Sequence, residues 1–190
     1  RQLEPAAQPC RFTLTPTPGD QAMNIFVLSN NPVRAAQYQC DKHIPKMCVE
    51  SAQMMASALR ANGAADMHMP LTQAGRPYRG GYHHHPCTVW SGQTYDNFNW
   101  LAMHAEALCQ EYFERFGKQH ACDIPIREMA DRADMVKGFG LTPFAQAMPD
   151  EYRDIDPVRA YRRYYLADKS RFASWARCRH GAPDWWEVAA

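Results

Sequence analysis

His43, Lys46, Glu50, Gln53 and Ser57 follow one another at alternating steps of three and four residues. On a continuous α-helix that spacing puts all five on one face. An imidazole, an amine and a carboxylate on one face can share chemistry. Glu50 would serve as a general base or as the fixed negative charge beside a cation forming on substrate, while His43 and Lys46 would set its ionisation or meet a phosphate. Cys48, Ala52, Met55 and Leu59 fall on the opposite face and can supply the packing. The same stripe has a plainer reading, a solvated helix face whose Lys46–Glu50 pair is worth a few tenths of a kcal/mol. Pro45 lies inside the stripe and predicts a kink or a fresh helix start beside His43.

A second concentration of chemistry lies near the end of the chain. Arg159, Arg162, Arg163, Lys169, Arg171, Arg177 and Arg179 are opposed there only by Asp168, in a chain whose net charge is +1. Tyr161, Tyr164, Tyr165, Phe172 and Trp175 interleave with them. Arginines seat phosphates and aromatic rings can stack on exposed bases. At helical spacing, however, the aromatics also read as ordinary core. A net charge near zero gives no global field for a polyanion, so nucleic acid would have to be drawn by this local cluster. Arg159, Arg162, Arg163 and Lys169 are the expected phosphate contacts, joined by His84 and His85 from a histidine-rich loop.

The seven cysteines are widely spaced and odd in number, a pattern of reduced, buried thiols in a cytoplasm. Cys40 and His43 form one tight pair, and His83, His84, His85 and Cys87 add soft donors. A structural zinc site more often shows two such pairs. The expectation is therefore no metal and no cofactor. No run of 18 apolar residues suggests a transmembrane helix.

These residues need elements to position them. At 190 residues, 46% hydrophobic and 22% charged, the chain fits one globular domain over residues 23–190 with its own core. Residues 1–22, with Pro5, Pro9, Pro16 and Pro18, read as a flexible tail or extension. Ile25 to Leu28 is a short apolar run, either a strand or an extended buried segment. Asn31 and Pro32 open a helix, a second runs from Lys46 to about Ala61, and Asn62-Gly63 stops it. Residues 62–90 form a long loop of the kind that is functional or mobile. A long helix follows from about Ser91 to Phe116, with Phe98, Leu101, Ala105, Leu108 and Tyr112 facing a core. A shorter helix lies after residue 123, and a last one starts at Pro157 and carries Phe172 and Trp175. The fold class is all-α, as a monomer.

Cys40-Asp41-Lys42-His43, followed at a fixed interval by Glu50, resembles the first-helix motif of the phage pyrimidine-dimer DNA glycosylases, the endonuclease V family. His85-Pro86-Cys87-Thr88-Val89-Trp90, the helix end Glu114-Arg115-Phe116-Gly117, the stretch Met148 to Arg153 and Pro183-Asp184-Trp185 agree in order. The resemblance covers most of residues 23–186. It implies a mainly helical domain with a groove for double-stranded DNA, Glu50 as the catalytic carboxylate and His43 as its neighbour. It also implies a bacterial or phage-infected host cell.

Two positions depart from the family pattern. The family's nucleophile is the α-amine of a threonine after the initiator methionine. Here Asn24 follows Met23 within the chain, which points to water as nucleophile and away from a strand-cleaving lyase step. Val49 stands where the family has an arginine before its glutamate. The expected function is an N-glycosylase acting on a damaged or modified pyrimidine. A base-modifying transferase on the same scaffold, a non-catalytic DNA-binding protein and a zinc-stabilised module are the alternatives.

Overall fold

The computed structural model describes residues 23–187, so the Pro-rich segment 1–22 lies outside the described residues. The α-helices are α1 (Pro32–Gln37), α2 (His43–Ala61), α3 (Pro86–Ser91), α4 (Tyr95–Phe116), α5 (Asp123–Ala130), α6 (Pro157–Lys169) and α7 (Asp184–Glu187). Among the described residues there is no strand, only one isolated bridge between Leu71 and Pro77. The all-α expectation holds. No helix among them is long and apolar enough to cross a membrane.

Residues 23–28 take the extended rather than the strand alternative, and every one of them is buried. A buried backbone must find partners for its amides and carbonyls. With no neighbouring strand, side chains supply them. Gln39 Nε2 donates to the Ile25 carbonyl (3.3 Å), and Arg162 Nε donates to that of Leu28 (3.0 Å). Asn24 Oδ1 accepts from the amides of Ile25 (2.8 Å) and Phe26 (3.0 Å). That turn puts Phe26 at φ +51°, a region costing a non-glycine residue about 1–3 kcal/mol. Ring packing offsets the strain, because Phe26 stacks on His43 with centroids 4.8 Å apart and meets the edge of Tyr165 at 5.3 Å.

Helix α2 begins at His43, so Pro45 falls in its first turn, where amides have no partner within the helix. Of the two alternatives at Pro45, the fresh helix start is the one observed, with no kink, and the polar stripe is continuous. Gly63, at φ +92°, follows its C-cap Asn62. Helix α4 starts later than the sequence suggests. Residues 86–91 form α3 on their own, Gly92 ends it, and Thr94 caps α4 by accepting the Asn97 amide at 3.1 Å. Phe98, Leu101, Ala105 and Leu108 are fully buried against α2 and α1, as their spacing predicts. Helix α6 stops at Lys169, which corrects the expectation that Phe172 and Trp175 ride on it. The chain turns back, the Asp41 amide donates to Ser174 O at 2.8 Å, and Trp175 Nε1 donates to the Tyr38 carbonyl at 3.1 Å.

One buried cation fixes the approach to α2. The Arg115 side chain, 1% exposed, donates to Glu111 Oε2 (2.7 Å), Asp41 Oδ1 (3.1 Å) and the carbonyls of Gln39 (2.8 Å) and Gln37 (3.0 Å). It ties the end of α4 to the turn between α1 and α2. Removing one partner of such a network strands the other charges away from water. Arg115→Ala is therefore expected to lower unfolding free energy by about 3–5 kcal/mol in urea titrations. A loss below about 1 kcal/mol would show that the network does not hold this junction.

Candidate active site

The stripe of α2 is covered at both ends, with Lys46 exposed to solvent between them. At its first turn His43 is buried, with Phe26 on one side and Phe172 at 5.6 Å on another. At its far end Ser57 Oγ accepts the Gly81 amide and donates to the Gly81 carbonyl, both at 2.9 Å. A Cβ on Gly80 would lie 2.2 Å from Ser57 Oγ, and φ there is +76°, so the close approach requires glycine. The loop after α2 is thus seated on the stripe.

Glu50 lies between these ends, its side chain only 13% exposed. Its Oε2 accepts the backbone N–H of Asn24 at 3.0 Å, and its Oε1 lies 3.3 Å from Lys46 Nζ. The Lys46 side chain is 43% exposed, so the amine is the solvent-facing partner of a shielded carboxylate. Burial raises the Glu50 carboxyl above its ordinary value, opposed by Lys46, the Asn24 amide and the more distant Lys169. A carboxylate with a raised proton affinity suits general acid–base work.

His43 is held by its ring nitrogen. The Tyr165 hydroxyl accepts the Cys40 amide at 3.0 Å and shares a hydrogen bond with His43 Nδ1, 2.8 Å away. Burial, followed by the charges of Lys169, Lys46 and Lys42, lowers the His43 pKa to about 3. At neutral pH it is an uncharged imidazole and not an acid in its own right.

The other expected site residues divide into two groups. Lys169 is buried, its Nζ 2.6 Å from Asp168 Oδ2 and over the rings of Phe26 (5.5 Å) and Tyr164 (5.3 Å). It faces the Glu50–His43 side of the molecule. Arg162 also turns inward, with Nε on the Leu28 carbonyl and its guanidinium 5.2 Å from the Trp185 ring. Arg159 and Arg163 are exposed and share Asp154, at 2.5 and 3.6 Å. The Arg159 hydrogen bond, chief among several causes, holds that carboxyl down at about 2. His84 is exposed, whereas His85 is half-buried and caps α3 by accepting the Cys87 amide on Nδ1 at 3.2 Å.

The Cys40, His43, Cys87 and His83–His85 donors do not gather into a metal cage. Cys40 and His43 converge on Tyr165, and Cys87 Sγ lies 3.9 Å from Tyr161 Oη. Two participants escaped sequence reasoning. Asn24 reaches Glu50 from 26 residues away through its backbone, which leaves no pattern. Tyr165 fitted the apolar stripe of α6, and nothing in its spacing sets it apart as the partner of His43.

A helical protein with a shielded carboxylate held by a backbone amide and one lysine is the class these observations define. Residues 23–124 match the model of the pyrimidine dimer DNA glycosylase family, more than half of the 190-residue chain, and the chain belongs to that family. The agreement over Met148–Arg153 and Pro183–Trp185 lies beyond the matched residues. No curated protein and no solved structure matches the chain.

Lys46 lowers the proton affinity of Glu50 and burial raises it. Lys46→Met should therefore move the Glu50 titration to higher pH, read from its side-chain carboxyl carbon by NMR. An unchanged or lower midpoint would mean that the two groups are not coupled.

Proposed function

We propose that the protein is a DNA N-glycosylase that releases a damaged or modified pyrimidine from duplex DNA, with Glu50 as its catalytic carboxylate. The observation that carries this reading is the setting of Glu50, shielded from water, fixed by the Asn24 amide and paired with a half-exposed amine. Breaking the C1′–N bond leaves positive charge on the sugar, which a fixed carboxylate at low solvent exposure stabilises strongly. Water then adds to C1′, Glu50 takes the proton that water gives up, and the base leaves with the electrons of the broken bond. The target nucleotide or its partner must leave the stack first, at a cost of a few kcal/mol.

Water is the nucleophile in this account. The Asn24 nitrogen is an amide donating its proton to Glu50, with no free lone pair, and Lys46 serves as the charged partner of the same carboxylate. His43, neutral and held by Tyr165, contributes a hydrogen bond to the substrate from its other ring nitrogen. Arg159 and Arg163 on α6 and His84 on the loop seat backbone phosphates. Lys169 and Arg162, anchored inward, add positive potential, and His85 holds the loop in place.

Ultraviolet-irradiated and phage-modified duplexes, followed by product mass, test this reading. Wild-type protein should release free base or a half-released dimer. Glu50→Gln should lower the rate by about 10²–10⁴-fold, the usual contribution of acid–base help, while duplex binding persists. Borohydride should trap no protein–DNA adduct. A product gaining mass with its glycosidic bond intact would assign a transferase instead. Because the working form of Glu50 is ionised and its pKa is raised, activity should fall on acidification at a pH above the ordinary value of 4.5. An acid limb at or below that value would remove Glu50 from the role.

A further inference from the structure

The opposite face of α2 carries a second cluster, unrelated to the Glu50 carboxylate and its partners. Cys48 of α2, Cys109 of α4 and His120 of the α4–α5 connection bring two sulfurs and one ring nitrogen within 4.8 Å of one another. Both cysteines are buried and unoxidised, and His120 is half-buried. Two thiolates and an imidazole are the donor set of structural zinc sites, and soft sulfur ligands select against calcium and magnesium. Tetrahedral zinc would hold such atoms roughly 3.5–3.8 Å apart, a closure of about an ångström or less from the present spacing.

The surroundings of His120 suit a ligand. Its ring hydrogen-bonds to the Pro45 carbonyl, and its Nδ1 accepts the Cys122 amide at 3.1 Å. The proton therefore sits on Nε2, and zinc would take over the Nδ1 lone pair that the Cys122 amide uses in its absence. A histidine ligand is normally oriented in this way, its second nitrogen donating to a carbonyl. Cys122, two residues further on, supplies a further sulfur beside Cys48 and Cys109, held on the Tyr78 hydroxyl. A cleft of about 250 Å³ beside the cluster has Cys109 and Asp123 in its lining.

We infer that Cys48, Cys109 and His120 form a zinc site that staples α2, α4 and the start of α5, with Cys122 or a water in the fourth position. The site is structural. It sits on the far face of the helix that carries Glu50, and it stands or falls separately from the glycosylase reading.

The test uses the reduced full chain, stripped with chelator and then given Zn²⁺ or Co²⁺ alone. One zinc per chain should survive gel filtration and raise Tm. The cobalt form should show thiolate-to-metal charge-transfer absorption, with an intensity of two or three thiolates. Cys109→Ala should weaken zinc by on the order of a hundredfold or more, since even losses around a ligand cost 10–100-fold. Cys178→Ala, at a thiol outside the cluster, should keep it. If Cys109→Ala does not fold, the cobalt spectrum of the wild-type protein decides alone. Reduced wild-type protein that takes up no zinc and gives no charge-transfer band would overturn the inference, as would a folded Cys109→Ala that binds zinc unchanged.

Discussion

A buried length of extended chain with no strand beside it is the constraint on which this molecule turns. Residues 23–28 cross the core of an all-helical fold, and their amides and carbonyls still require partners. The helices meet that demand with side chains: Gln39 from the α1–α2 turn, Arg162 from α6, Asn24 from the segment itself and Glu50 from α2. One consequence is that the carboxylate at the heart of the site is also a structural acceptor. Its position is set by a backbone amide, a donor far less mobile than any side chain. The strained Phe26 belongs to the same arrangement, because the Asn24 turn that bends it presses its ring onto His43.

Electrostatics then divide the labour. Burial favours the neutral forms of both Glu50 and His43, and the surrounding lysines act on them in opposite directions. They favour the anion of Glu50 and further disfavour the cation of His43. Lys46 and Lys169 act on the one carboxylate, and with Lys42 beside His43 they make this side of the molecule locally basic without any large net charge on the chain. That is the local field a phosphate backbone needs, and it accounts for how a chain of net charge +1 can belong to a DNA-acting family.

Much of this was legible in the residues themselves. The three- and four-residue spacing of His43, Lys46 and Glu50 placed them correctly on one face, and Asn31, Gly63 and Gly117 marked helix ends by their chemistry. Pro45 allowed a kink or a fresh helix start, since a proline in a first turn and one in a helix middle look the same in sequence, and the start of α2 at His43 selects the fresh start. The end of α6 was missed because Phe172 and Trp175 keep a helical period after the helix has stopped. Asn24, Tyr165 and the inward turn of Lys169 depend on contacts between distant segments, which no local pattern records. The same is true of Cys48, Cys109 and His120. Sequence pointed to the nearby Cys40–His43 pair, whereas the fold gathers donors from three elements.

The central claim is that the reacting sugar meets Glu50, the carboxylate held by the Asn24 amide and Lys46. The most direct measurement is a crystal structure of the Glu50→Gln protein bound to a duplex with one cyclobutane pyrimidine dimer. The account predicts a C1′ atom of the lesion within about 3.5 Å of the residue 50 side chain, a distance at which reaction geometry is productive. A lesion lying away from α2, with the Asn24 contact to residue 50 still closed and no sugar near it, would contradict the account.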